Sequence, residues 1–146
     1  VWSGPTVNRF HLIRMVPGKR LYVNGAVLRF DRNVSVEVSV GAVVLDEDRI
    51  MHADDVTSPL RQLYFCVQLM LIDPENVDQS KPVLEQVLRD ADRIYQGSTV
   101  ADGLSRIRDL LERDRHYDTL IALPDLFEIE DDLRRDAGSA GCGRTH

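Results

Sequence analysis

The chain has 146 residues, 43% of them hydrophobic and 29% charged, with a formal net charge of −6. That is enough chain for one domain with a real core, and too apolar a composition for a disordered protein. No apolar run is long enough to cross a bilayer, and VWSGPTVNRF lacks a secretory apolar segment, so the expectation is a soluble cytoplasmic protein.

Residues 1–8 read as a flexible N-terminus. RFHLIRMV (9–16) can form a strand, with Phe10, Leu12 and Arg14 on one face and His11, Ile13 and Met15 on the other. Pro17-Gly18 is a turn signal. RLYVNGAVLRF (20–30) carries Asn24-Gly25 between two apolar runs, the strongest short-range signal for a two-residue type I′ hairpin. That turn pairs Val23 with Ala26, Tyr22 with Val27, Leu21 with Leu28 and Arg20 with Arg29. Two arginines then stand directly opposite each other, which is unfavourable without a counter-charge. VSVEVSV (34–40) alternates without a break, valines to the core and Ser35, Glu37 and Ser39 to water. AVVLDEDRI supplies a last short strand. Residues 9–50 therefore read as a β lobe, a small antiparallel β-meander or partly open barrel.

The period changes after residue 50. Ser58 and Pro59 mark a helix start, and PLRQLYFCVQLMLI is apolar nearly all round, as expected of a central buried helix. Asp73-Pro74 ends it. In KPVLEQVLRDADRIYQG, Val83, Leu84, Val87, Leu88, Ala91, Ile94 and Tyr95 form one amphipathic stripe, stopped by Gly97. Thr99 and Asp102 suggest a cap for the next helix, striped by Leu104, Ile107 and Leu111. YDTLIAL and DLFEIEDDLRR are two further helical pieces, separated at Pro124. Residues 51–135 thus form a helical lobe packed on the β lobe within a single domain, and 136–146, rich in Gly and Ser, read as a disordered tail. Strands followed by four to five helices define an α+β fold with segregated elements.

The sequence contains no Walker A, GxGxxG, HExxH or GxSxG pattern. His52 near Asp54 and Asp55 reads as a polar loop rather than a metal site, and Glu128, Glu130, Asp131 and Asp132 read as a solvated helix face. Cys66 and Cys142 sit in unrelated contexts and read as reduced thiols. No catalytic residues, metal ligands or cofactor are expected. Charge is unevenly spread. Residues 1–32 carry Arg9, Arg14, Lys19, Arg20, Arg29 and Arg32 against Asp31 alone, so a polyanion would meet this end first. A phosphate between Arg20 and Arg29 would convert repulsion into two charge-assisted hydrogen bonds, with Tyr22 as a base-stacking platform. The competing answer is neutralisation by Glu37 or by an acid of the helical lobe. Near the other end, DRHYDTLIAL has the look of a helical hairpin that could present a groove to a partner's amphipathic helix.

PGKRLYVNGAVLRF (17–30), TSPLRQLYF (57–65), LIDPEN (71–76) and HYDTLIAL (116–123), in this order and spacing, resemble the FlbT family of bacterial flagellar regulators over roughly residues 10–134. The resemblance implies a cytoplasmic post-transcriptional regulator without enzymatic activity. It would associate with the 5′ untranslated region of flagellin mRNA, promote its decay, and work alongside the small protein FlaF. On this reading the RNA-binding candidates are Lys19, Arg20, Tyr22, Arg29 and Arg32, with Arg61 standing where the family often has two basic residues. The alternative is an adaptor that binds FlaF or flagellin through Tyr117, Leu120, Leu123, Leu126 and Phe127, with an indirect effect on the message. The chain departs from the family pattern at Lys19, where an acid is usual, at Asp118-Thr119, where a lysine is common, and at Pro124, which interrupts a helix that is normally continuous.

Overall fold

In the computed structural model, residues 10–39 and 41–144 are described, with side chains to residue 137; the N-terminal stretch read as flexible lies outside them. Five strands come first: β1 (Phe10–Met15), β2 (Arg20–Val23), β3 (Ala26–Arg29), β4 (Val34–Ser39) and β5 (Val44–Asp46). Five helices follow: α1 (Pro59–Ile72), α2 (Val77–Ile94), α3 (Thr99–Glu112), α4 (His116–Ala122) and α5 (Pro124–Arg144). The fold is α+β, with all strands antiparallel and no closed barrel.

The expected hairpin forms in the expected register, Arg20 opposite Arg29 through Val23 opposite Ala26. Asn24 and Gly25 take φ of 50° and 86°, the left-handed pair that type I′ requires. The meander does not form. β4 leaves β3 and pairs with β1, while β5 returns to the far side of β2, giving a two-stranded ribbon β1-β4 and a three-stranded sheet β3-β2-β5. The ribbon matches two alternating patterns. Val38, Val36 and Val34 stand opposite His11, Ile13 and Met15 on the inward face, and Leu12 opposite Glu37 on the outward one. Ile13, Met15 and Val38 are buried accordingly, and Leu12 is exposed.

Helix α1 is the centre of the molecule. Ser58 caps it, its hydroxyl accepting from the Arg61 N–H, and Pro59 occupies the first turn. Leu60, Leu63, Val67, Met70 and Leu71 are buried against α2, α4, α5 and β5. Gln68 is buried as well, and its side-chain amide clamps the Met51 backbone, accepting from its N–H at 2.7 Å and donating to its carbonyl at 2.8 Å. Helix α2 is less deeply set than its sequence stripe suggests. Leu84, Ala91 and Tyr95 are buried, whereas Val83 and Ile94 stay exposed, because α2 and α3 touch only lightly and leave one flank of the stripe open. The cap of α3 is Ser98, one residue before the expected Thr99. Gly97, at φ 77°, makes the turn between the two helices.

The break at Pro124 is as expected, with the proline in the first turn of α5. α5 runs as helix to Arg144, past residue 135, where the Gly/Ser-rich composition suggested a tail. No proline follows Pro124 to stop it, and each interior glycine weakens a helix by only about 1 kcal/mol.

Candidate nucleic-acid interface

The hairpin face that carries the basic candidates is built by strand alternation. Arg20 and Tyr22 on β2 and Val27 and Arg29 on β3 point to one side, while Leu21 is fully buried on the other. β3 is the edge of its sheet, and all four of its residues are exposed. Lys19, Arg20 and Tyr22 line a shallow depression of about 420 Å³ together with Glu47, Asp48 and His52. Arg29 stands across the register from Arg20.

The counter-charge for Arg20 is neither Glu37 nor an acid of the helical lobe. It is Glu47, in the short turn directly after β5. One carboxylate oxygen accepts from the Arg20 backbone N–H at 3.1 Å and forms an ion pair with the Arg20 guanidinium, 3.2 Å from Nε. Lys19 reaches Glu47 at 3.8 Å and Asp48 at 3.3 Å. Arg32 folds onto its neighbour Asp31 through two hydrogen bonds of 3.0 and 3.1 Å. Among the described residues Arg29 has no ion-pair partner, and it is the cation best placed to accept a new anion. The pairs on Lys19, Arg20 and Arg32 lie at the surface, where ion pairs are weakened by solvent and salt, so a phosphate can displace them.

Arg61 is not part of this surface. It lies at the start of α1, where its guanidinium donates to both oxygens of Asp131 at 2.9 and 3.0 Å and stacks over the Phe127 ring at 4.6 Å. Beside it is a group that the composition concealed. Glu130 is completely buried, not on a solvated face. Its carboxylate accepts from the Ser58 hydroxyl at 2.5 Å, the Leu60 N–H at 3.0 Å, the Tyr95 hydroxyl at 2.5 Å and Arg61 at 3.4 Å. Burial, then the hydrogen bond to this carboxylate, pushes the Tyr95 hydroxyl well above the usual tyrosine range, so Tyr95 stays a donor. The sequence did hold a signal. Leu123, Leu126, Phe127, Glu130 and Leu133 share one helical stripe, and a carboxylate in an apolar stripe asks for buried donors.

The residues expected to meet a protein partner are mostly interior. Leu120 and Leu123 are fully buried and Tyr117 nearly so; Leu126 and Phe127 pack at the margin of the core. The Tyr117 hydroxyl donates to Asp46 at 2.9 Å and accepts from Arg49 at 3.1 Å, and its ring meets His11 edge-on. Tyr117 thus ties the helices to the β lobe, α4 is wedged against α1 and α3, and of the YDTLIAL apolar residues only Ile121 stays exposed. Among the described residues no group of three or more His, Cys, Asp or Glu side chains is placed to hold a metal, and no helix is long and apolar enough to cross a membrane.

Residues 12–133 match the family model described as "Flagellar protein FlbT". A Chelativorans protein named "Probable flagellum biosynthesis repressor protein FlbT" is 34% identical over 83% of this chain and 83% of its own length. A Bradyrhizobium diazoefficiens protein, "Probable flagellum biosynthesis repressor protein FlbT 2", is 39% identical over 81% of this chain and 87% of its own. A Brucella abortus protein of the first name is 34% identical over 80% and 76%. No solved structure matches the chain.

Proposed function

Because the chain belongs to the FlbT family of flagellar proteins, we propose that it represses flagellum synthesis after transcription, by associating with the 5′ untranslated leader of flagellin mRNA and promoting that message's decay. The observation that carries the RNA contact is the exposed hairpin face, where Arg20 stands opposite Arg29 beside Tyr22, with no partner for Arg29 among the described residues. A phosphodiester between the two guanidiniums relieves their repulsion, and Tyr22 offers a ring to an adjacent base. Lys19 and Arg32 extend the track by exchanging their carboxylates for phosphates. Arg61 takes no part, since Glu130 and Asp131 occupy it. Decay itself belongs to nucleases that the bound protein admits or recruits.

The test is fluorescence anisotropy of a labelled flagellin leader titrated with the protein at two salt concentrations. Single-stranded binding loses about 0.7 in log–log slope per phosphate contact. Arg29→Glu, at an exposed edge, is expected to lower affinity and flatten that slope while the circular dichroism stays that of wild type. Binding that is unchanged in Arg29→Glu, or insensitive to salt, rejects the hairpin as the reader.

A second reading has its own support. Of the four candidate cations Lys19, Arg20, Arg29 and Arg32, three are already ion-paired, and the whole chain is acidic, as suits an adaptor for FlaF or flagellin. A leader that binds only when FlaF is added identifies that arrangement.

A further inference from the structure

The open edge of β3 has a defined hydrogen-bonding parity. Arg20 N–H points to the β5 side, where it donates to Glu47, and Asn24 N–H donates to Val43 on the same side. The amides of Leu21 and Val23 therefore face β3. By the register, Ala26 and Leu28 turn their backbone groups toward β2, which leaves those of Val27 and Arg29 pointing away from the sheet. Among the described residues nothing accepts or donates there. Natural edges are usually blunted by proline, lysine, a bulge or a cover. β3 reads Ala-Val-Leu-Arg, with Val27 51% and Leu28 42% exposed; it is short and carries the charge of Arg29, but it has no proline, no bulge against β2 and, among the described residues, no covering element.

We propose that β3 is the interface of a homodimer, closed by antiparallel β3–β3 pairing about a twofold axis at Leu28. A second copy fits this edge because one antiparallel register satisfies the outward groups of both copies at once. Outward groups must meet outward groups, which allows Val27 opposite Val27, Val27 opposite Arg29, or Arg29 opposite Arg29. The third sets like charges face to face. The first needs Gly25 as a strand residue, and its φ of 86° commits it to the turn. The second pairs Val27 of each copy with Arg29 of the other, closing four hydrogen bonds around the axis, and brings the two Leu28 side chains together as the close pair between them. Each exposed apolar group on the edge is then covered. Leu28 meets Leu28, Ala26 meets Phe30, and Val27 lies under the aliphatic stem of the other copy's arginine.

The consequence bears on the RNA reading, on which this part rests. Pairing fuses two three-stranded sheets into one of six strands, with the order β5-β2-β3-β3-β2-β5. Both Arg20–Arg29 pairs and both Tyr22 rings then share one continuous face. A single hairpin offers two arginines and one ring; the dimer offers four and two, along a path that one leader strand can follow.

Sedimentation equilibrium of the full chain without RNA tests the interface. Wild type is expected to climb from one chain mass toward two as concentration rises. Val27→Pro removes only an outward N–H and keeps every bond to β2; Leu28→Lys places a charge on the twofold axis at an already exposed site. Both are expected to stay at one chain mass with unchanged circular dichroism and melting. A wild type that is monomeric throughout, or a Val27→Pro and a Leu28→Lys that both associate as wild type does, overturns the proposal. Mass is read apart from RNA. A monomer that binds the leader overturns the dimer and leaves the RNA reading standing, whereas a dimer indifferent to the leader overturns the RNA reading alone.

Discussion

Two places in this protein gather charge, and they settle it in opposite ways. At the junction of α1, α2 and α5, Glu130 is sealed from water and surrounded by four donors. On the β2–β3 hairpin, two arginines stand side by side in solvent, one held by Glu47 and the other without a partner among the described residues. A buried charge with every lone pair occupied is a part of the fold: it holds elements in place, and removing it costs heavily. An exposed charge facing its own kind costs little to remove and has capacity to spare. The first kind specifies structure and the second is available for recognition.

The sharpest way to break this contrast is at Glu130. Glu130→Ala removes the acceptor shared by Ser58, Leu60, Tyr95 and Arg61 and is expected to destabilise the protein by about 3–5 kcal/mol, read from the urea midpoint. A loss below about 1 kcal/mol would make the junction ornamental. Ser58→Ala removes the α1 cap and one of the four donors, for about 2 kcal/mol. Gly103→Ala, on α3 where it lies against α5, drives a methyl into Leu126, whose Cγ would lie 3.1 Å away. Its overpacking cost of about 1–3 kcal/mol is partly offset by helix propensity, leaving a net loss of about 1 kcal/mol.

Acid gives a smaller and directional effect. Burial lowers the proton affinity of His11, partly opposed by Asp118, and of His116, partly opposed by Asp114. Both are held neutral in the fold while the unfolded chain protonates near pH 6.5. Their contribution is complete above that value and is lost as pH falls through their lower folded-state values. Stability measured from pH 7 down to pH 5 should therefore decline, and His11→Gln should flatten the decline. The smallest stability change is expected on the hairpin. Arg29→Ala should alter unfolding by no more than about 0.5 kcal/mol, yet weaken leader binding. An Arg29→Ala that unfolds the protein would put the arginine pair in the same class as Glu130.

What the sequence made legible follows the range of the interaction. The Asn24-Gly25 turn, the Arg20–Arg29 register, the Ser58-Pro59 start of α1 and the break at Pro124 are decided within a few residues, and all are present. Strand order is decided by partners far along the chain. Alternation in β4 says that one face is buried but not against which strand, so β1 could displace β3 without any local sign. Glu47 as the counter-charge of Arg20 escaped for the same reason, since β5 had to be placed beside β2 first. Composition misled where it was read without periodicity. DLFEIEDDLRR looks like a solvated acidic run until Glu130 is counted on the stripe of Leu126 and Leu133. Likewise, YDTLIAL is apolar enough to suggest an offered surface, yet Tyr117, Leu120 and Leu123 are interior.

The junction around Glu130 also orders events in time. Its donors come from residues 58–61 and 95, and its acceptor arrives about 70 residues after Ser58. At about 5–20 residues per second a ribosome needs several seconds to deliver it. Until then the nascent chain holds the first turn of α1 and the Tyr95 hydroxyl without their acceptor. Helix α5 is therefore a latch: a chain cut short before residue 130 leaves the first turn of α1 and the Tyr95 hydroxyl without the carboxylate that seals them.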